Sequence, residues 1–177
     1  TQYKSEASAV IHHTDHDTPM NFVMIGIAVF IIPLFFLYQS IVGNIGISLA
    51  MTIIMVIAGF LFSSVAGYMA GLVGSSNNPI SGITIATILF ASLILLAMMG
   101  SDSPIGAPAA IMIGAVVCCA AAIAGDNMQD LKAGYIVGAT PWKQQVMQGV
   151  GVISAVLVMA PILNLLVQAY GIGPQSA

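Results

Sequence analysis

Five long apolar runs constrain this sequence more than any other feature. They cover residues 22–42, 45–73, 80–99, 105–125 and 146–170. About 20 helical residues cross a hydrocarbon core ~30 Å thick, and backbone amides in lipid must pair within the protein, which favours helices. The runs therefore predict an all-α fold, a polytopic transmembrane bundle of about five spanning helices surrounded by the lipid bilayer.

Composition and charge exclude several classes of protein. Hydrophobic residues make up 59% of the 177 residues and charged residues only 5%, whereas an ordinary soluble domain has about 25% charged residues. The basic residues are Lys4, Lys132 and Lys143, which are too few to neutralise a nucleic-acid backbone. The sequence has no nucleophile elbow, phosphate loop, pair of catalytic carboxylates or HExxH helix. We therefore expect neither nucleic-acid binding nor enzymatic activity, and no bound cofactor.

A polar residue followed by proline marks the start of four of the five predicted spans. The pairs are Thr18-Pro19, Asn78-Pro79, Ser103-Pro104 and Thr140-Pro141. A polar side chain can cap free helix amides, and proline suits the first helical turn. We predict a polar N-terminal tail or loop at 1–18 and a transmembrane region at 19–177. The predicted spans cover about 19–42, 45–73, 79–99, 104–125 and 141–170.

The connection at 126–140 is predicted to be cytoplasmic. With the N-terminal tail inside and five crossings, all three lysines lie on the cytoplasmic side. The positive-inside rule favours this topology.

A stretch rich in glycine, serine and asparagine separates the second and third runs and predicts a broken or re-entrant connection near 74–82. Transporters use non-helical backbone at membrane depth to line a substrate cavity. The alternative is a surface loop in which Asn78 caps the next helix and Pro79 takes its first position. The candidate residues for substrate or coupling contacts here are Ser75, Ser76, Asn77, Asn78 and Pro79.

A second polar stretch follows the fourth run, and its candidate residues are Asp126, Asn127, Gln129 and Asp130. A carboxylate at the C-terminal end of a helix interacts unfavourably with the helix dipole, so the position of Asp126 directly after the fourth run needs an explanation. An ionisable group at the membrane edge or in a cavity can exchange protons. The alternative is that Asp126 caps a short following helix, with Gln129 as its reciprocal partner.

Small residues recur at every fourth position in the second and fourth runs. Such stripes allow helix backbones to approach closely. The predicted helix-packing residues are Gly67, Gly71, Gly106, Ala110 and Gly114.

The N-terminal tail contains His12, His13 and His16 among aspartates. Histidine and carboxylate are ligands that a metal ion accepts, so these residues are candidate metal ligands. The alternative is a solvated polar tail.

Two segments carry a family resemblance. YMAGLVGSSNNPISG at 68–82 and GDNMQDLKAGYIVGATPWKQQ at 125–145 resemble the oligopeptide transporter (OPT) family, in its prokaryotic and yellow-stripe-like branch. The resemblance implies a secondary active transporter, usually a proton-coupled symporter, that takes up small peptides or metal-chelate complexes. It also implies a bacterial cytoplasmic (inner) membrane location and a proton as coupling ion.

Members of the OPT family have many more spans than this chain. The resemblance therefore implies that the chain is an interior fragment whose partners include the remaining spans of the parent transporter. The alternative function is a small oligomeric membrane subunit or channel-like protein without active transport, assembled through its small-residue stripes.

Overall fold

The computed structural model describes residues 16–171, and the described chain is helical throughout, with no strand. Its elements are α1 (Met20–Val42), α2 (Ile45–Val73), a 3-10 turn (Ser75–Asn77), α3 (Ile80–Met99), α4 (Gly106–Ile136) and α5 (Pro141–Tyr170). Each of the five α-helices is long and apolar enough to cross a membrane, judged by length and composition. The predicted all-α fold with five spanning helices is therefore confirmed.

Helices α3 and α5 begin next to a proline, but the predicted side-chain caps are absent at both starts. α3 begins at Ile80, directly after Pro79, and α5 begins at Pro141 itself. Neither Pro79 nor Thr140 makes a side-chain cap at these two helices. The fixed backbone of proline thus positions these starts without help from a polar side chain in the cap position.

The side-chain cap lies instead at α2, the one span without a polar-proline start. Asn44 accepts hydrogen bonds from the backbone N–H groups of Gly46 and Ile47, at 3.0 and 3.3 Å. Gly43, directly before it, ends α1 in the left-handed region with φ 70°, which glycine adopts without steric cost. Two residues therefore suffice to join α1 to α2.

α4 is longer than the predicted fourth span, which was expected to end at 125. It continues to Ile136 because residues such as Gln129, Leu131 and Ala133 are good helix formers and no glycine turn follows until Gly138. The predicted capping role of Asp126 is wrong, because Asp126 lies inside α4 and has no free helix start to cap. The cytoplasmic location of 126–140 stays a prediction.

A Schellman motif ends α4. Gly138 has φ 77°. The backbone N–H of Ala139 donates to the carbonyl of Gly134 at 2.8 Å, and the backbone N–H of Gly138 donates to the carbonyl of Tyr135 at 3.2 Å. These two bonds pair carbonyls that a helix end leaves free. The connection between α4 and α5 therefore comprises residues 137–140.

The described chain divides into two compact units. Residues 18–133 form the first unit, which holds the buried hydrophobic residues. These are Tyr38, Met51, Met55, Ala58, Ala66, Ile83, Ala91, Leu95, Ala109, Ala110, Ile113, Val117 and Ala121. Within this unit α1 buries Tyr38 and turns most other side chains outward.

The second unit consists of residues 134–171 together with His16 and Asp17. The backbone N–H of Trp142 donates to the carbonyl of His16 at 3.3 Å, and Gln145 Nε2 donates to Asp17 Oδ1 at 3.0 Å. α5 contains no buried residue. Its apolar surface is therefore free to contact lipid or further helices.

The small-residue stripes lie partly at helix contacts. A Cβ added to Gly67 would lie 3.6 Å from Met128 Cγ, and one added to Gly114 would collide with the side chain of Ile88. Ala110 is buried, whereas Gly71 and Gly106 have no atom within 4 Å of an added Cβ. The structure thus places three of the five predicted packing residues against other parts of the first unit.

Candidate functional site

The connection between α2 and α3 is short and folded, and we call residues 74–79 the break segment. Gly74 begins it with φ 84°, a conformation that glycine adopts readily. Asn77 Nδ2 donates to the carbonyl of Val73 at 3.2 Å, which satisfies one of the free carbonyls at the end of α2. Asn77 therefore fastens the break segment to α2, and Ser76 and Pro79 are exposed on it.

A side-chain hydrogen bond joins the break segment to α4. Ser75 Oγ donates to Gln129 Oε1, across 54 residues of sequence. Both residues were predicted candidates, on the two separate polar stretches. The fold brings these stretches together in the first unit.

Asn78 lies against the surface of α4 at Gly125. A Cβ added to Gly125 would lie 2.5 Å from Asn78 Nδ2 and 3.7 Å from Ala70 Cβ. Only glycine therefore leaves room for the carboxamide at this point of the helix. Gly125 was missed as a site residue, although a glycine inside a helix costs up to about 1 kcal/mol relative to alanine, and that cost was its signal.

The Asn78 carboxamide is buried without a partner. Among the residues that the structure describes, neither Nδ2 nor Oδ1 has a hydrogen-bond partner. The interpretation of Asn78 as a side-chain cap of α3 is therefore wrong. The Asn78 main-chain carbonyl instead accepts a hydrogen bond from the N–H of Ile80 at 2.8 Å.

Burial and hydrogen bonding act against each other at this contact. A buried polar group without a partner costs about 1–3 kcal/mol, and a typical hydrogen bond contributes about 0.5–1.5 kcal/mol. The Ser75–Gln129 bond therefore offsets only part of the cost of the unpaired Asn78 carboxamide.

The four predicted residues on α4 do not share one face. Gly125 and Gln129 are one turn apart and face the break segment. Successive residues turn by about 100°, so exposed Asp126 and Asp130 occupy a neighbouring face. Asn127 lies on the opposite side from Gly125, half-buried, with an Oδ1 that has no partner within the described chain. The structure brings together Gln129 and the break segment but not the carboxylates.

An apolar cavity of about 480 Å³ lies between α2 and α3. It is lined by Ile54, Ile57, Ala58, Leu61, Phe62, Thr87, Phe90 and Ile94. Its polar residue, Thr87, already donates to the carbonyl of Ile83 at 2.8 Å. A peptide needs fixed polar partners, so the break segment is the better candidate site.

The described residues give no support for the predicted metal site at His12, His13 and His16. His12 and His13 lie outside them, and His16 is exposed. No group of three or more histidine, cysteine, aspartate or glutamate residues in 16–171 is placed to hold a metal ion.

Comparison with known proteins places the chain among transporters. The family described as OPT oligopeptide transporter protein matches residues 1–177. A Haemophilus influenzae protein, named as a candidate oligopeptide transporter, is 41% identical over 129 residues, which is 68% of this chain. The chain spans about a fifth of the length of that curated relative, since the match covers 20% of it. No solved structure matches the chain significantly.

Proposed function

We propose, because this chain belongs to the OPT oligopeptide transporter family, that it forms part of the substrate passage of a peptide transporter. The family resemblance predicted from 68–82 and 125–145 is thereby confirmed, and so is the expectation that the chain is not an enzyme, since the family is one of transporters. The chain is an integral membrane segment with five helices able to span. The remaining spans of the parent protein complete the passage.

The observation that carries this proposal is the break segment with its unpaired Asn78 carboxamide. A buried polar group without a partner is costly, and a functional role is one reason for a protein to keep it. A carboxamide offers both hydrogen-bond donors and an acceptor, which match the carbonyl and N–H of a peptide main chain. Asn78 therefore contacts substrate, together with the exposed residues Ser76 and Asn77 of the same segment.

Small oligopeptides are the proposed substrates. The name of the Haemophilus influenzae relative supports peptides, whereas metal-chelate complexes rest on the family resemblance alone. If metal chelates use the same passage, they should compete with peptides for uptake.

Proton coupling is the proposed driving force, in a bacterial cytoplasmic membrane. Asp126 and Asp130 are exposed carboxylates one turn apart on α4, next to the face that carries the break segment. A carboxylate near a passage can take up a proton with the substrate and release it on the other side. Their position beside the break segment supports this role.

Uptake by the purified full-length parent in proteoliposomes tests the proposal. We expect labelled di- to tetrapeptides to accumulate above the external concentration when an inward proton gradient is applied. Accumulation should stop when a protonophore collapses the gradient. Flux that only equalises the concentrations would indicate a channel-like protein, and uptake of metal chelates without competition by peptides would contradict the substrate class.

A further inference from the structure

We infer that Gln129 is a positioning residue that holds the break segment on α4 through Ser75 and must release it in each transport cycle. We call the Ser75–Gln129 hydrogen bond the latch. The inference rests on the proposed function, because it concerns the same segment. The latch is thus a contact that opens and closes and not a fixed part of the site.

The first support is that the break segment is attached to two different helices. Asn77 Nδ2 binds the carbonyl of Val73 at the end of α2, so the segment follows α2. Ser75 binds Gln129 on α4. A movement of α2 relative to α4 that carries the segment along must therefore open the latch.

The second support is the contact between α2 and α4 beside the latch. Gly67 faces Ala124 and Met128, and Ala70 faces Gly125. Four of these five residues are glycine or alanine and the fifth is the flexible Met128, and small residues allow helices to approach and separate without interlocked side chains. The helices can therefore move apart here with little rearrangement.

The third support is the burial of the Asn78 carboxamide. Both of its polar atoms are buried and unpaired while the latch is closed, so no ligand reaches them in this arrangement. Alternating access moves one group of helices against another around a midplane site. Opening the latch exposes Asn78 to substrate, and closing it removes Asn78 from the passage.

A reversible crosslink tests the latch in the full-length parent. Ser75→Cys and Gln129→Cys are introduced together into a background in which Cys118, Cys119 and any other cysteines of the parent are alanine. A bifunctional methanethiosulfonate reagent then joins the two thiols. We expect peptide uptake to fall at least tenfold on crosslinking and to return when a reductant cleaves the link.

The matched control is a cysteine pair on one helix. Leu37 and Ser40 lie one turn apart on α1, where Ser40 Oγ donates to the Leu37 carbonyl. Joining Leu37→Cys to Ser40→Cys connects no two helices, so uptake should be unchanged by the same reagent. A crosslink between 75 and 129 that forms fully and leaves uptake intact would overturn the inference, and so would failure of the two thiols to react with each other.

A second measurement needs no transport activity. The rate at which a water-soluble maleimide labels Asn78→Cys is compared with that of the same variant carrying Ser75→Ala. Loss of the latch should speed labelling at least fivefold, because it releases the segment from α4. Equal rates would contradict the latch, whereas absence of peptide uptake by the unmodified parent would contradict only the proposed function.

Discussion

The carboxamide of Asn78 lies directly over Gly125 of α4, so close that a Cβ at 125 would be 2.5 Å from Asn78 Nδ2. Neither polar atom of the Asn78 carboxamide has a partner within the described residues. A glycine on one helix thus admits a polar side chain that precedes another helix.

Replacement of Gly125 by alanine should displace the break segment. The added methyl group would overlap the Asn78 carboxamide, and overpacking of this kind typically costs about 1–3 kcal/mol. We expect lower thermal stability of the parent in detergent and loss of most peptide uptake. Gly59→Ala is the control, because nothing lies within 4 Å of a Cβ there; it should leave uptake unchanged and should not lower thermal stability, since alanine favours a helix over glycine.

The contact between Gly114 of α4 and Ile88 of α3 should show strong coupling. Gly114→Ala would collide with the Ile88 side chain, and truncation of the half-buried Ile88 to alanine should cost about 2 kcal/mol, the lower end of the range for buried side chains. In the double variant the alanine at 114 fills space left by Ile88, so the loss should be smaller than the sum by about 1 kcal/mol or more. Additive losses in a thermal or denaturant unfolding cycle would show that the two residues do not touch.

Asn44 should matter to α2 as a helix cap. Its side chain accepts from the N–H groups of Gly46 and Ile47, and loss of such a cap costs about 0.5–2 kcal/mol. Asn44→Ala should lower the unfolding free energy by that amount, while Asn44→Asp should retain most of it. Equal stability of the alanine and aspartate variants would exclude a capping role.

The carboxylates on α4 should govern the pH dependence of uptake. If Asp126 exchanges protons, Asp126→Asn should flatten the rise of peptide uptake at acidic external pH and abolish accumulation against a gradient. Asp130→Asn, measured in parallel, shows which of the two carboxylates carries the proton. Normal pH profiles in both variants would remove these residues from coupling.

Local chemistry explains which parts of the structure could be predicted. The break at 74–82 could be predicted because glycine permits the positive φ found at Gly74 and proline restricts its own φ at Pro79, and the structure begins α3 at Ile80. The end of α4 could not be predicted, because Asp126 and Gln129 were interpreted as the cap of a new helix, whereas they continue a helix of good helix formers. Helix capping signals are local, whereas helix length depends on the whole segment.

Tertiary contacts explain the remainder. Ser75 and Gln129 were both candidates, but nothing local indicated that two residues 54 positions apart would bond. Gly125 resembled any other small residue of a membrane helix until Asn78 was placed on it. The division of α4 into a face with Gln129 and a face with Asp126 likewise depends on the helix continuing past 125, where the sequence predicted that it would end.

Peptide uptake by the parent carrying Asn78→Ala is the most direct test of the central claim that the break segment lines the passage. Initial rates across a range of peptide concentrations separate KM from kcat, and Asn78→Gln serves as the variant that keeps the carboxamide. We predict a KM raised at least tenfold in Asn78→Ala, with partial recovery in Asn78→Gln and normal amounts of folded protein in both. KM and kcat equal to those of the unmodified parent in the alanine variant would contradict the account.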